Sequence, residues 1–385
     1  MSVAAADDRS SAACARCLRR SWLLAELSGP LDCNCRADGR LIELLALGDG
    51  ELIEAIGGRR RAELRARHAR FQAHEIARAP GIEELCRHDQ RYPHGLRRIE
   101  APPMLHVEGG LDRLHELTAG PVVAILGSRR ATDYGIEMAG SLARGLAASG
   151  VTVAGELADG IAVAAQTGAL EADGATLTVL PGGLDVAAPA RRRSLLQRLT
   201  REGSAVSELP CGCRPRRWGA AAAARTLAAL AAVTVVVEAE DSPRELAGAR
   251  IAQTFGRTVA ALPGRVTSPA SRGSHALLLD GARLIREAAD VLDLLYGARR
   301  PASASVLPPH APGDRHAELK PVLRELLERV GAGVDTPGKL TGEHEDAGEL
   351  LLALSELELM GLLARGDGGK YVPRDPLPGR PCDTV

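Results

Sequence analysis

The stretch PVVAILGSRRATDYG, residues 121–135, decides the fold. It begins with a short, continuous apolar run rich in β-branched side chains, cut off by glycine before it could form a helix. An apolar run without polar alternation is a strand buried on both faces. Gly127 then opens a turn, and Ser128 and Arg129 lead towards a helical stretch. The same pattern recurs downstream in VTVA (151–154), ATLTVL (175–180), SAVS (204–207), VTVVVE (233–238) and RTVAAL (257–262), with Ala/Leu-rich helical stretches between them. Strands alternating with helices form a parallel sheet covered on both faces, so the expected class is α/β with a doubly wound parallel sheet.

In such a sheet the loops after the strands share the carboxyl edge, where ligands bind. Four of them carry glycine: GSRRATDYG, GELADG (155–160), PGGLD (181–185) and PGRVTSPASRGSH (263–275). Glycine at a strand's end, followed by a helix, exposes backbone N–H groups suited to an anion. The candidate phosphate-binding residues are therefore Gly127, Ser128, Arg129, Gly155, Gly160, Gly182, Gly183, Gly264, Gly273 and His275, the last as a hydrogen-bonding loop residue. Arg191, Arg192 and Arg193 join them, because 191–217 holds eight Arg against Glu202 and Glu208, a net +6. Each segment also has a plainer reading, as a tight turn or a solvated helix face. The second strand, VTVA, is followed by Gly155 and only then by Glu156, so no acidic residue stands directly at its end to hold a nicotinamide ribose. No cofactor is expected.

Composition narrows the function. The chain has 385 residues with 48 basic against 49 acidic, so bulk charge gives no attraction for nucleic acid. Only Lys320, Lys339 and Lys370 are lysines, which removes a P-loop and any Schiff-base chemistry before residue 320. Eight aromatic residues in the whole chain cannot tile a base-stacking platform. Tyr134 and Trp218 could each cover one base or pack in the core, and the core is the favoured reading.

Outside the α/β region, 14–78 reads as helices and 91–110 as an extended lead-in. The Pro-rich 297–314 reads as a linker, and the helix, short helix, helix and hairpin of 315–373 fit a winged helix. Residues 374–385 read as a disordered tail. From Asp314 to Pro373 there are 12 acidic and seven basic residues, so this unit suits protein better than DNA. The Ala-rich 219–237 reads as a helix and a buried strand, giving no membrane association. The polar N-terminus and eight Cys suggest reduced thiols in a cytoplasm. Cys14-x2-Cys17 and Cys33-x-Cys35 raise a structural zinc, but the second pair departs from ribbon spacing, so free thiols and no metal are expected.

From Tyr92 to about Tyr296, in order, the segments YPHGLRRIEAPPMLHVEGG, PVVAILGSRRATDYG, VVVEAEDS and GRTVAALPGRVTSPASRGSHALLLDGARLI resemble the DprA/Smf family of DNA-processing proteins. The resemblance implies an extended Rossmann-like domain over 91–296, a SAM-like N-terminal helical domain and a C-terminal winged helix. It further implies a non-enzymatic protein that binds single-stranded DNA, forms a homodimer and assists a RecA-type recombinase during natural transformation. By position, Gly127, Ser128 and Arg129 match the family's GSR, and Gly155 and Gly160 match glycines of its S-G-x-A-R-G-I-D loop. Gly182, Gly183, Leu184 and Asp185 match its G-x-G-L-D turn, while Pro263, Gly264, Gly273 and His275 match the late P-G…G-x-[NH] loop. Arg225 alone remains of an Arg-Asn-Arg helix start. Asp159 stands where the family has Arg, Ala162 where it has Asp, and Pro243, Arg244 and Glu245 replace an S-G-[ST] loop.

Two other readings compete. A degenerate paralogue could serve as a protein-interaction scaffold. A Rossmann-like nucleotide phosphoribohydrolase shares the P-G-G turn, but PGGLDVAAPA lacks the Thr and Glu that follow it there. If about three phosphates are neutralised, DNA affinity should fall roughly 20-fold between 50 and 200 mM salt.

Overall fold

All six apolar runs become parallel strands, and their alternate side chains explain why both faces must be covered. In the computed structural model Val123 and Ile125 pack on one side, with Val153, Val233 and Val235, beneath the helices Asp133–Ala148, Ile161–Glu171 and Ala288–Tyr296. Val122 and Ala124 point the other way, joining Leu177, Val179 and Val206 beneath Leu111–Ala119 and Arg217–Leu230. With successive residues facing opposite sides, a wholly apolar strand feeds two cores at once. The structure describes residues 13–34, 40–99, 102–186, 188–297, 319–331, 340, 347–360, 362–365 and 371–373.

The strands are β1 (Ile82–Cys86), β2 (Met104–Glu108), β3 (Val122–Leu126), β4 (Thr152–Glu156), β5 (Thr176–Val179), β6 (Ser204–Ser207), β7 (Val233–Val236), β8 (Thr258–Ala261) and β9 (Arg283–Leu284). They form one sheet in the order β1-β2-β6-β5-β4-β3-β7-β8-β9. All pairings from β6 to β9 are parallel, and β3 is flanked by β4 and β7, so the strand order reverses there. The lead-in expected over 91–110 is corrected: β2 pairs antiparallel with β6 and with β1, so the sheet starts at Ile82. Charge hides these strands in the sequence. Glu84 is buried beside Arg78 at 2.8 Å, and His106 is buried with its Nε2 3.3 Å from Ser21 Oγ. Burial pushes the His106 imidazole down to about 4, so it is neutral.

The N-terminal helices begin with Ala15–Glu26 and Ser28–Asn34 and pack on the sheet through Trp218, which is 1% exposed. Its indole Nε1 donates to Ser28 Oγ at 2.8 Å, and Leu23, Leu27 and Leu31 share its cluster. Trp218 is therefore a core residue, as the sequence favoured. The stretch 219–237 is the end of helix Arg217–Leu230 followed by β7, and among the described residues no helix is long and apolar enough to cross a membrane.

The chain divides into two compact units, Met1–Arg300 and Pro301–Val385. In the second, helices Pro321–Gly331 and Ala347–Leu359 enclose Leu323, Leu327, Leu354 and Leu357, and Leu363–Arg365 pairs with Tyr371–Pro373 as a hairpin. The short helix expected between the two helices lies outside the described residues apart from Leu340, as do the linker at 298–314 and the tail at 374–385.

Candidate functional site

Folding brings the loops after β3, β4, β7 and β8 together at the carboxyl edge. Ser128 N donates to Glu238 O at 2.7 Å, Ile161 N to Ser128 O at 3.2 Å, and Gly273 N to Ala239 O at 2.8 Å. Gly160 shows why glycine is needed here. Its φ is +75°, and a methyl group in its place would overlap the Ser128 carbonyl oxygen. At Gly127 a methyl would stand 2.5 Å from Glu238 O and 2.6 Å from the Ile161 side chain. These glycines let loops touch one another.

The helix N-terminus after GSRRAT does attract an anion, and that anion is the protein's own. Buried Glu238 takes Thr132 N at 2.9 Å through Oε2 and Thr132 Oγ1 at 2.7 Å through Oε1. Thr132 Oγ1 then caps the helix Asp133–Ala148 by accepting from Gly135 N at 3.2 Å. A carboxylate against a helix N-terminus satisfies both its open donors and its dipole. Glu245, one of the replacements in the family's S-G-[ST] loop, accepts from Ser128 Oγ at 3.3 Å and from Glu240 N at 2.8 Å.

The other expected residues are similarly engaged. His275 Nε2 lies 3.3 Å from Gly264 N and 3.1 Å from Gly264 O, so the two form a clasp within one loop. Gly155 sits in β4 against the Gln166 side chain. Gly182 and Gly183 belong to a separate group, where Gly183 N donates to Cys213 O at 2.8 Å and Asp185 accepts from Gly212 N at 2.8 and 2.9 Å. Beside that turn lies a pocket of about 170 Å³ whose lining includes Asp185, Glu108, Arg193 and Gln197, two carboxyls against one guanidinium. Burial raises the Glu108 carboxyl, and it raises the nearby Cys211 and Cys213 thiols to about 11.

Arg225 requires a correction. It is buried, and its Nη2 pairs with Glu208 Oε2 at 2.7 Å, where Glu208 also accepts from Thr226 Oγ1. Its charge is spent inside the fold. Arg191 and Arg192 are tethered too, at 2.5 and 3.3 Å from Asp159, and Arg192 also donates to Leu157 O. Arg193 remains exposed and without a partner among the described residues.

The charge left at the edge comes from elsewhere. Arg129, Arg130, Arg244, Arg265 and Arg272 are exposed, and none has a hydrogen-bond or ion-pair partner for its guanidinium among the described residues. Arg129 and Arg244 both act on Glu156, whose carboxyl is pushed up by burial against their pull. Tyr134, for which the sequence favours the core, is instead 48% exposed at the start of helix Asp133–Ala148, with its hydroxyl 3.5 Å from Pro263 O. Of the sequence candidates, Arg129 and Arg193 are exposed arginines without a hydrogen-bond or ion-pair partner for the guanidinium among the described residues. Arg265 and Arg272 lie within the late loop PGRVTSPASRGSH, a segment whose glycines mark the turn but not the charge.

An open sheet with its strand-order reversal at β3, and exposed arginines on the loops after β3, β7 and β8, defines a Rossmann-like α/β protein. A family model described as DNA recombination-mediator protein A matches residues 83–296, and the chain belongs to this DprA/Smf family. A Mycobacterium tuberculosis relative named for the DNA processing protein DprA is 37% identical over 261 residues, 67% of this chain and 66% of that one. The chain thus spans about two-thirds of that relative's length. The solved Streptococcus pneumoniae DNA processing protein A aligns at TM-score 0.58 and 28% identity, covering 72% of this chain and 95% of that one. A Helicobacter pylori DNA processing protein A, described for its single-stranded DNA binding mode, aligns at TM-score 0.50 and 27% identity, covering 56% and 95%.

Proposed function

We propose that this chain binds single-stranded DNA along the carboxyl edge of its sheet and serves DNA uptake and recombination without catalysing a reaction. In this role it acts in the cytoplasm as a homodimer and hands DNA to a RecA-type recombinase. The observation that carries the DNA-binding reading is the set of five exposed arginines on the loops after β3, β7 and β8, none with a guanidinium partner among the described residues, together with the exposed Tyr134. The single-stranded DNA binding described for the Helicobacter pylori relative supports it. The contacts come mainly from guanidinium groups, since the turn N–H donors named above already have acceptors within the protein. Guanidinium groups grip phosphates through paired, charge-assisted hydrogen bonds and carry no sequence preference.

A salt titration of oligothymidine binding tests this reading. Five neutralised phosphates give roughly a 100-fold loss of affinity between 50 and 200 mM salt. The variant R129A/R244A should bind weakly and show a flatter salt dependence. No binding by the wild type at low salt would overturn the reading and leave the scaffold alternative, which the tethering of Arg191 and Arg192 by Asp159 favours.

A further inference from the structure

Four side chains of types able to ligate a metal meet where the first helix approaches the edge strand β1. Cys14 is the N-cap residue of helix Ala15–Glu26 and Cys17 lies in its first turn, so both thiols reach the same side. Cys86 ends β1, and His88 follows two residues later in the turn. The His88 Nδ1 is 3.5 Å from Cys14 Sγ, 3.5 Å from Cys17 Sγ and 3.7 Å from Cys86 Sγ. All four donor atoms lie within 4.8 Å of one another.

We propose that Cys14, Cys17, Cys86 and His88 form a tetrahedral zinc site that pins the N-terminal helices to the sheet. Zinc bonds of about 2.3 Å to sulfur and 2.0–2.1 Å to nitrogen give a tetrahedral S···N edge of about 3.6 Å, which the three observed separations match. Hydrogen bonding alone accounts poorly for the arrangement. A neutral imidazole offers one acceptor nitrogen, so Nδ1 can take a proton from only one of the three thiols around it. A disulfide would take up only two of the three sulfurs, and the described cysteines form none. Three thiolates and one imidazole around a divalent cation use all four groups. Cys14 N also points at Cys86 Sγ at 3.5 Å, the kind of N–H···S contact that supports a ligating thiolate. Cys17 and Cys86 are buried while Cys14 and His88 are exposed, so the site is shielded on one side and reachable by metal on the other.

The ligand set differs from the one that cysteine spacing suggests. Cys33 is exposed and does not join the cluster, and Cys35 lies outside the described residues. The two true halves, C-x2-C and C-x-H, are about 70 residues apart, as the Cys14–His88 separation of 74 shows. The bond chemistry is simple. Each thiol gives up its proton to solvent as a Zn–S bond forms, and His88 binds through the neutral Nδ1.

Elemental analysis of the full chain, expressed with zinc in the medium and dialysed exhaustively, tests the site. About one zinc per chain is expected for the wild type and for C33S/C35S. H88A should weaken zinc retention by more than the roughly 10–100-fold that loss of an outer supporting contact causes. H88C should restore retention and strengthen the thiolate charge-transfer absorption of the cobalt(II)-substituted protein. Should the variants fail to fold, mercurial titration of the wild type remains, with zinc release tracking thiol modification. A wild type without stoichiometric zinc, or a C33S/C35S protein that loses it while H88A keeps it, would overturn the assignment.

Discussion

The run Arg191–Arg193 and the scattered group at 129, 130, 244, 265 and 272 lie towards the same edge of one sheet, yet they present different charge to solvent. In the run, Asp159 holds two of three guanidinium groups at 2.5 and 3.3 Å. In the scattered group every guanidinium is unpartnered among the described residues. Sequence density of Arg therefore does not by itself measure the charge a segment presents to solvent. What matters for a polyanion is the charge remaining after the fold has satisfied its own carboxylates, and that is set by residues distant in sequence.

Arg225 is the extreme case of a charge the fold keeps, and its removal has the largest expected effect. Arg225→Ala leaves Glu208 buried with no counter-charge, a change that destabilises by about 3–5 kcal/mol. Replacing both partners by apolar residues of similar size should recover most of that loss. Urea unfolding of R225A and of R225M/E208L measures both. A stable R225A with weakened DNA binding would instead place Arg225 among the open cations and break the distinction.

Removing open cations comes next in size. Each charge-assisted hydrogen bond is worth about 1.5–3 kcal/mol, so Arg129→Ala should lower oligothymidine affinity roughly tenfold or more with little change in the urea midpoint. R191A, whose partner is already Asp159, should change affinity far less. Equal losses from R129A and R191A would erase the contrast between the two groups. Tyr134→Ala tests the same edge through stacking. One half-exposed ring should contribute about 1 kcal/mol per base, roughly a fivefold loss, independent of salt.

Much of the fold was legible because it rests on local patterns. Runs such as PVVAIL and VTVVVE can satisfy both faces only inside a parallel sheet. The antiparallel edge was hidden because β1 carries Glu83 and Glu84 and β2 carries His106. Burial of Glu84 and His106 is made tolerable by Arg78 and Ser21, contacts no window of sequence displays. The site was less legible for a related reason. Glycine turns announce close approach but not what approaches. At Gly127 and Gly160 it is neighbouring loops, and at the following helix N-terminus it is Glu238, 106 residues beyond Thr132. The zinc ligands illustrate the same limit, since Cys33 is nearer than Cys86 along the chain but not in space.

The smallest expected effect is the most direct probe of the tether. Asp159 captures two guanidinium groups of the run. An exposed ion pair contributes only about 0–1 kcal/mol to stability, so Asp159→Asn should leave the urea midpoint nearly unchanged. The substitution keeps the side chain's size and removes its charge, which frees Arg191 while Arg192 retains its bond to the Leu157 carbonyl. One additional guanidinium reaching a phosphate should steepen the salt dependence by about 0.7 and raise affinity at 50 mM salt by roughly threefold. A gain of that kind would show that the run lies on the DNA path and is restrained by a single carboxylate. Unchanged affinity would place the DNA wholly on the β3, β7 and β8 loops, leaving Arg191 to hold Asp159 for the fold alone.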